Sequence, residues 1–123
     1  MDKTRLGRTD LWVSRTGFGA LPIQRVDFET AKTILRQAVA GGITFFDTAR
    51  GYSDSEEKLG YALADVRDDI VIATKSSGAS DRASLMERLA ISLRNLRTDH
   101  VDILQLHNPA ALPDPDDPDS LYA

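Results

Sequence analysis

The chain has no cysteine. Disulfides, cysteine-ligated zinc and cysteine-held iron–sulfur clusters are therefore excluded within it. It has only two histidines and one tryptophan. No apolar run approaches the roughly 18–20 residues that a membrane-spanning helix needs. The N-terminus, MDKTRLGRTD, is polar and lacks the apolar core of a secretory leader. From these absences a cytoplasmic location is the expectation. No basic run is present either. Four of the 19 acids lie in the tail (Asp114, Asp116, Asp117, Asp119), and the remaining 15 equal the 15 bases. Nucleic-acid binding depends on clustered Lys and Arg, so such a partner is not expected.

What is present is a regular alternation. Thr4–Leu6 and Leu11–Val13 flank Gly7-Arg8-Thr9-Asp10 and read as a hairpin. Trp12 is expected to pack under it. Ser14–Gly19 is a glycine-rich candidate strand ended by Leu21-Pro22. Asp27 is a candidate N-cap, and Ala31, Ile34, Leu35, Ala38 and Val39 then fall on one helical face. Gly41-Gly42 stops that helix. Ile43–Phe46 is a continuous apolar run, as in a parallel strand covered on both faces. Ser53 and Glu56 fit the reciprocal capping pattern, and Leu59, Ala62, Leu63 and Val66 form the next helical face. Ile70–Thr74 is the third strand. Ser80 or Asp81 caps a helix with Leu85, Leu89, Leu93 and Leu96 on one side, and Val101–Leu106 is the fourth strand.

The order is a hairpin followed by about four βα units (βαβαβαβ) at roughly 30-residue intervals, the unit length of an eight-fold βα barrel. Residues 1–112 are expected to form half of such a barrel, a partial (β/α)8 TIM barrel in the α/β class. Residues 113–123 are expected to be an acidic Pro/Asp loop and the start of a fourth helix at Asp119–Tyr122. That start reads as a truncation, since one helical turn is not stable alone. A flavodoxin-like open sheet is the structural alternative. Half a barrel leaves two strand edges open, so self-association is expected.

In parallel α/β folds, reactive groups gather at the C-terminal ends of strands. Asp47, Lys75 and His107 each follow an apolar run, and Tyr52 lies on the loop after Asp47. Singly, each has an ordinary reading: a turn-capping aspartate, a solvated lysine, a packed tyrosine, a structural histidine before Pro109. Together they make chemical sense. A phenol has a pKa of about 10, and an ammonium beside it favours the phenolate. A carboxylate keeps that ammonium in place, and the phenol then serves as a proton donor to a developing alkoxide. A histidine at the same mouth can orient a carbonyl oxygen. None of the four can supply a hydride, so carbonyl reduction needs a nicotinamide or similar cofactor. A metal site from Asp47 and His107 lacks a supporting ligand pattern, and none is expected. Gly17-Phe18-Gly19 lacks the third glycine of a dinucleotide-binding fingerprint.

FFDTARGYSDSEEKLG, IVIATK and VDILQLHNP resemble the aldo-keto reductases over essentially the whole chain. The resemblance implies a catalytic tetrad of Asp47, Tyr52, Lys75 and His107, with Tyr52 as general acid. It implies NADPH, or NADH in its place, with Gly19, Ala20 and Asp47 lining the nicotinamide end. It implies a small aldehyde or ketone substrate. Ser53 stands where the family usually has glycine. The family's barrel is complete, and much of its cofactor binding comes from the second half. The short chain is therefore expected to be weak or inactive alone. The alternative expectation is a non-catalytic cofactor-binding or regulatory module, or a nonfunctional fragment.

Overall fold

In the computed structural model, which describes residues 1–121, the chain forms two sheets. β1 (Lys3–Arg5) and β2 (Trp12–Ser14) pair antiparallel, with Thr4 opposite Val13. Gly7 turns the corner at φ +58°, a left-handed conformation open to glycine. Side chains alternate along a strand. Val13 is buried, and Trp12 beside it is 59 % exposed rather than packed under the hairpin. The alternation that turns Val13 inward turns Trp12 outward.

The second sheet has four parallel strands: β3 (Phe18–Gly19), β4 (Phe45–Asp47), β5 (Val71–Ser76) and β6 (Ile103–Leu106). They lie side by side in sequence order. A flavodoxin-like sheet would place its first strand inside the sheet; here β3 is at an edge, the order of a barrel. Register brings Gly19 opposite Asp47, Asp47 opposite Ala73, and Lys75 opposite Gln105. Three helices make the crossovers: α1 (Phe28–Ala40), α2 (Ser55–Leu63) and α3 (Arg82–Leu96). No helix among the described residues is long and apolar enough to cross a membrane.

Local chemistry accounts for most of the boundaries. Asp27 caps α1 by accepting from the Thr30 amide at 2.7 Å. Asp81 and Ser84 cap α3 reciprocally, side chain to backbone in both directions. Gly42 follows α1 at φ +96°. The expected reciprocal cap of Ser53 and Glu56 is absent. Ser53 is left-handed at φ +50°, Asp54 occupies the N-cap position without a side-chain cap, and α2 begins at Ser55. The Glu56 carboxylate instead turns inward to tertiary partners, as described below.

The helices cover one face of the sheet. Leu35, Phe46, Leu59, Leu63, Ile72 and Leu96 are buried at their junction. Each such side chain contributes about 1.5–3 kcal/mol by leaving water. Gly60 sets how closely α2 approaches the end of α3. A Cβ there would lie 2.4 Å from the Asn95 carbonyl oxygen, so only glycine fits. Beyond β6, Asn108 is left-handed at φ +48°, and residues 114–121 run in turns and bends. The expected fourth-helix start extends to Tyr122, which lies outside the described residues.

Candidate active site

The C-terminal ends of β4, β5 and β6 bring the four expected residues together. Asp47 is the last residue of β4, Lys75 is the fifth of β5, and His107 follows β6. Parallel strands lie about 4.8 Å apart, which leaves side chains on one face within reach of each other. Lys75 Nζ donates to Asp47 Oδ2 at 2.7 Å and to the Thr48 carbonyl at 2.8 Å. This ammonium also lies 5.1 Å from the centre of the Tyr52 ring, within cation–π range. The Tyr52 and His107 rings meet edge to face, 5.5 Å between centres and 88° between planes. Among the described residues, the Tyr52 hydroxyl has no hydrogen-bond partner and is free for one from a ligand.

The backbone fixes these positions. The Thr48 amide donates to the Ala73 carbonyl at 2.9 Å, and the Arg50 amide to the Lys75 carbonyl at 3.0 Å. The loop after β4 is thereby stitched along β5. Tyr52 is held by a bond from its amide to Ala49 and one to its carbonyl from Ser55. His107 is tied to β5 through its amide, 2.8 Å from the Ser76 carbonyl.

The two further residues expected at this mouth part company. Gly19 is exposed, and a Cβ built on it meets nothing within 4 Å. The end of β3 therefore presents an open floor beside Asp47, its register partner. Ala20 is fully buried, its amide bonded to the Asp47 carbonyl and its carbonyl to the Ser55 hydroxyl. It braces the loop and offers no surface to a bound molecule.

Gln105 was not among the expected residues. It lies opposite Lys75, and its Nε2 is 3.4 Å from Asp47 Oδ1, so both carboxylate oxygens have a donor. Its signal was visible as the single amide inside the apolar run VDILQL. Thr48 contributes through its carbonyl, which no side-chain pattern announces.

The arrangement joins an ammonium–carboxylate pair, a phenol with a free hydroxyl and an imidazole, all at one strand-end mouth. It can donate a proton and hold negative charge on an oxygen.

The Aldo/keto reductase family model matches residues 15–118. A holo-form aldo-keto reductase from Bacillus halodurans superposes with a TM-score of 0.80 at 36 % identity, covering 87 % of this chain and 40 % of that one. An aldo-keto reductase from Klebsiella pneumoniae, solved in complex with NADPH, gives 0.76 at 29 % identity, over 83 % and 38 % of the two chains. A probable voltage-gated potassium channel subunit beta from Oryza sativa subsp. japonica is 34 % identical over 90 % of this chain and 38 % of its own length. The chain spans about two fifths of the length of the curated relatives it matches.

Proposed function

Because the chain belongs to the aldo/keto reductase family, we propose that its strand-end cluster serves the reduction of an aldehyde or ketone to an alcohol, with NADPH, or NADH in its place, as reductant. The observation that carries this reading is the Lys75–Asp47 pair set against the ring of Tyr52, with His107 edge-on to the same ring. The complex of the Klebsiella pneumoniae relative with NADPH supports the choice of cofactor. Gly19 and Asp47 would hold the nicotinamide end. When bound, the reduced cofactor supplies the hydride that no protein side chain can.

The chain's own residues do the rest. His107 hydrogen-bonds the carbonyl oxygen and fixes its direction. As negative charge develops there, the Tyr52 hydroxyl gives up its proton to that oxygen. The phenolate left behind is stabilised by the Lys75 ammonium. Asp47 holds that ammonium in place, and the Thr48 carbonyl gives it a second anchor. The carbonyl carbon gains the hydride and its oxygen the proton, so the product alcohol balances.

This activity is assigned to the whole protein. β3 and β6 each have a neighbour on one side only among the described residues, so the described strands wall the mouth incompletely. A polypeptide limited to them is expected to turn over weakly or not at all. NADPH consumption matched to loss of an aldehyde tests the reading. Tyr52→Phe should abolish reduction and leave cofactor binding intact; reduction that survives the change assigns the proton to the wrong group.

The similarity to a channel β subunit favours a second reading, a cofactor-binding partner of another protein. Titrating NADPH while following tyrosine and tryptophan fluorescence separates the two. In the whole protein, binding without turnover supports the partner, and turnover supports the reductase.

A further inference from the structure

Glu56 is a buried carboxylate that the proposed reaction does not use. It is 1 % exposed, and among the described residues it has no ion-pair partner. The nearby buried Lys58 spends its ammonium on Asp54 at 2.8 Å and on the Gln24 carbonyl. Burying a charge without a counter-ion is costly. Here the first turn of α2 and two neutral donors offset it. Thr74 Oγ1 donates to one carboxylate oxygen at 2.6 Å, and Asn95 Nδ2 to the other at 3.1 Å.

The identity of the first donor matters. Thr74 is fully buried and directly precedes Lys75 in β5. Successive side chains point to opposite faces of a strand. Glu56 therefore grips β5 from the helix side, one residue before the ammonium emerges on the mouth side. Ser55 completes a second route. Its hydroxyl has one proton, which goes to the Ala20 carbonyl at 2.9 Å. The 2.8 Å contact with Thr48 is then donated by Thr48 Oγ1. The carbonyl of that same Thr48 accepts from Lys75 Nζ. Two adjacent residues in the first turn of α2 thus reach both the strand that carries the lysine and the loop that receives its ammonium.

We infer that Glu56 is a positioning residue for Lys75, acting through Thr74, with Ser55 acting through Thr48. The inference rests on the proposed role of Lys75 in the reaction; its test does not. Lysine acylation by a water-soluble acetylating reagent, read residue by residue by peptide mass across a pH series, reports the environment of each ammonium without turnover. Thr74→Val keeps the shape and the β-branch but removes the donor to Glu56. It should speed acylation of Lys75 about threefold, the low end of coupling within one network, and leave Lys58 unchanged. Glu56→Gln should keep the wild-type Lys75 rate, since its amide oxygen still accepts from Thr74 once the Asn95 amide turns over. Three results would overturn the inference: an unchanged Lys75 rate in Thr74→Val, a parallel rise at Lys58 that marks general loosening of α2, or failure of Glu56→Gln to hold the wild-type rate. Absence of carbonyl reduction by the whole protein would sink the catalytic reading and leave the labelling result standing.

Discussion

Two ion pairs of the same length sit at opposite ends of the parallel sheet. Lys75 and Asp47 meet at 2.7 Å at the C-terminal ends of β4 and β5, and Arg67 and Asp102 meet at 2.7 Å near the start of β6. Their surroundings differ. Asp102 also accepts the Ile72 amide at 2.8 Å, and Arg67 also donates to the Ile70 and His100 carbonyls. Its side chains are 9 % and 17 % exposed, against 15 % and 39 % for the mouth pair. One pair is closed onto backbone except at Arg67 Nε, which is buried without a hydrogen-bond partner among the described residues, and it fastens β5 to the chain entering β6. The other is open to solvent on its carboxylate side and borders the Tyr52 ring, which in turn meets His107 edge to face. Distance alone does not separate a structural pair from a candidate catalytic one; what the remaining lone pairs and protons touch does.

The sharpest way to break that contrast is to remove one carboxylate from each pair. Asp102→Ala leaves a largely buried guanidinium without its partner, a change that costs about 3–5 kcal/mol in such settings, and it also orphans the Ile72 amide. Asp47→Ala acts on a more exposed pair, where the median contribution is about 0–1 kcal/mol. Its stability loss should be small and its loss of carbonyl reduction large. Denaturant unfolding of the two variants, with cofactor absent, measures the difference. Equal destabilisation would erase the distinction between the two ends.

The comparison also shows which features could be read in advance. The four parallel strands, the three helices between them, their order and the strand-end residues were legible because helix and strand periods are properties of the chain itself. Asp27 was legible, and Asp81 was legible as one of two candidates with Ser80, because capping is local. Ser53 and Glu56 matched the same capping pattern and were misread. Glu56 finds its partners 18 and 39 residues away, at Thr74 and Asn95, and local spacing carries no trace of them. Ala20 lies next to Gly19 in sequence, yet the backbone turn at the end of β3 sends one to the mouth and the other into the core. Trp12 was misplaced because the hairpin's inward face was fixed by Val13, and a large apolar residue is not obliged to be inside.

A smaller contrast lies among the exposed groups, and pH resolves it. Hydrogen bonds from Ser84 hold the Asp81 carboxyl below its usual range, and those from Thr30 do the same for Asp27. A folded-state value lower than the unfolded one contributes stability that is fully present above the unfolded value, about 3.9. That stability is lost as pH falls through the folded value. Tyr61 works in the opposite direction. Its hydroxyl donates to Glu29, which raises its proton affinity. That contribution is present below the unfolded tyrosine value, about 10, and is lost as pH rises through the raised one. Asp81→Ala should therefore lower the thermal midpoint at neutral pH and converge on wild type in acid. Tyr61→Phe should lower it at neutral pH and converge in alkali. Both shifts are modest because Asp81 is exposed and Tyr61 only half-buried, so solvent screens both. A deficit of Asp81→Ala that persists undiminished in strong acid would mean that the carboxylate's charge is not what caps α3, and that the bond to the Ser84 amide survives protonation.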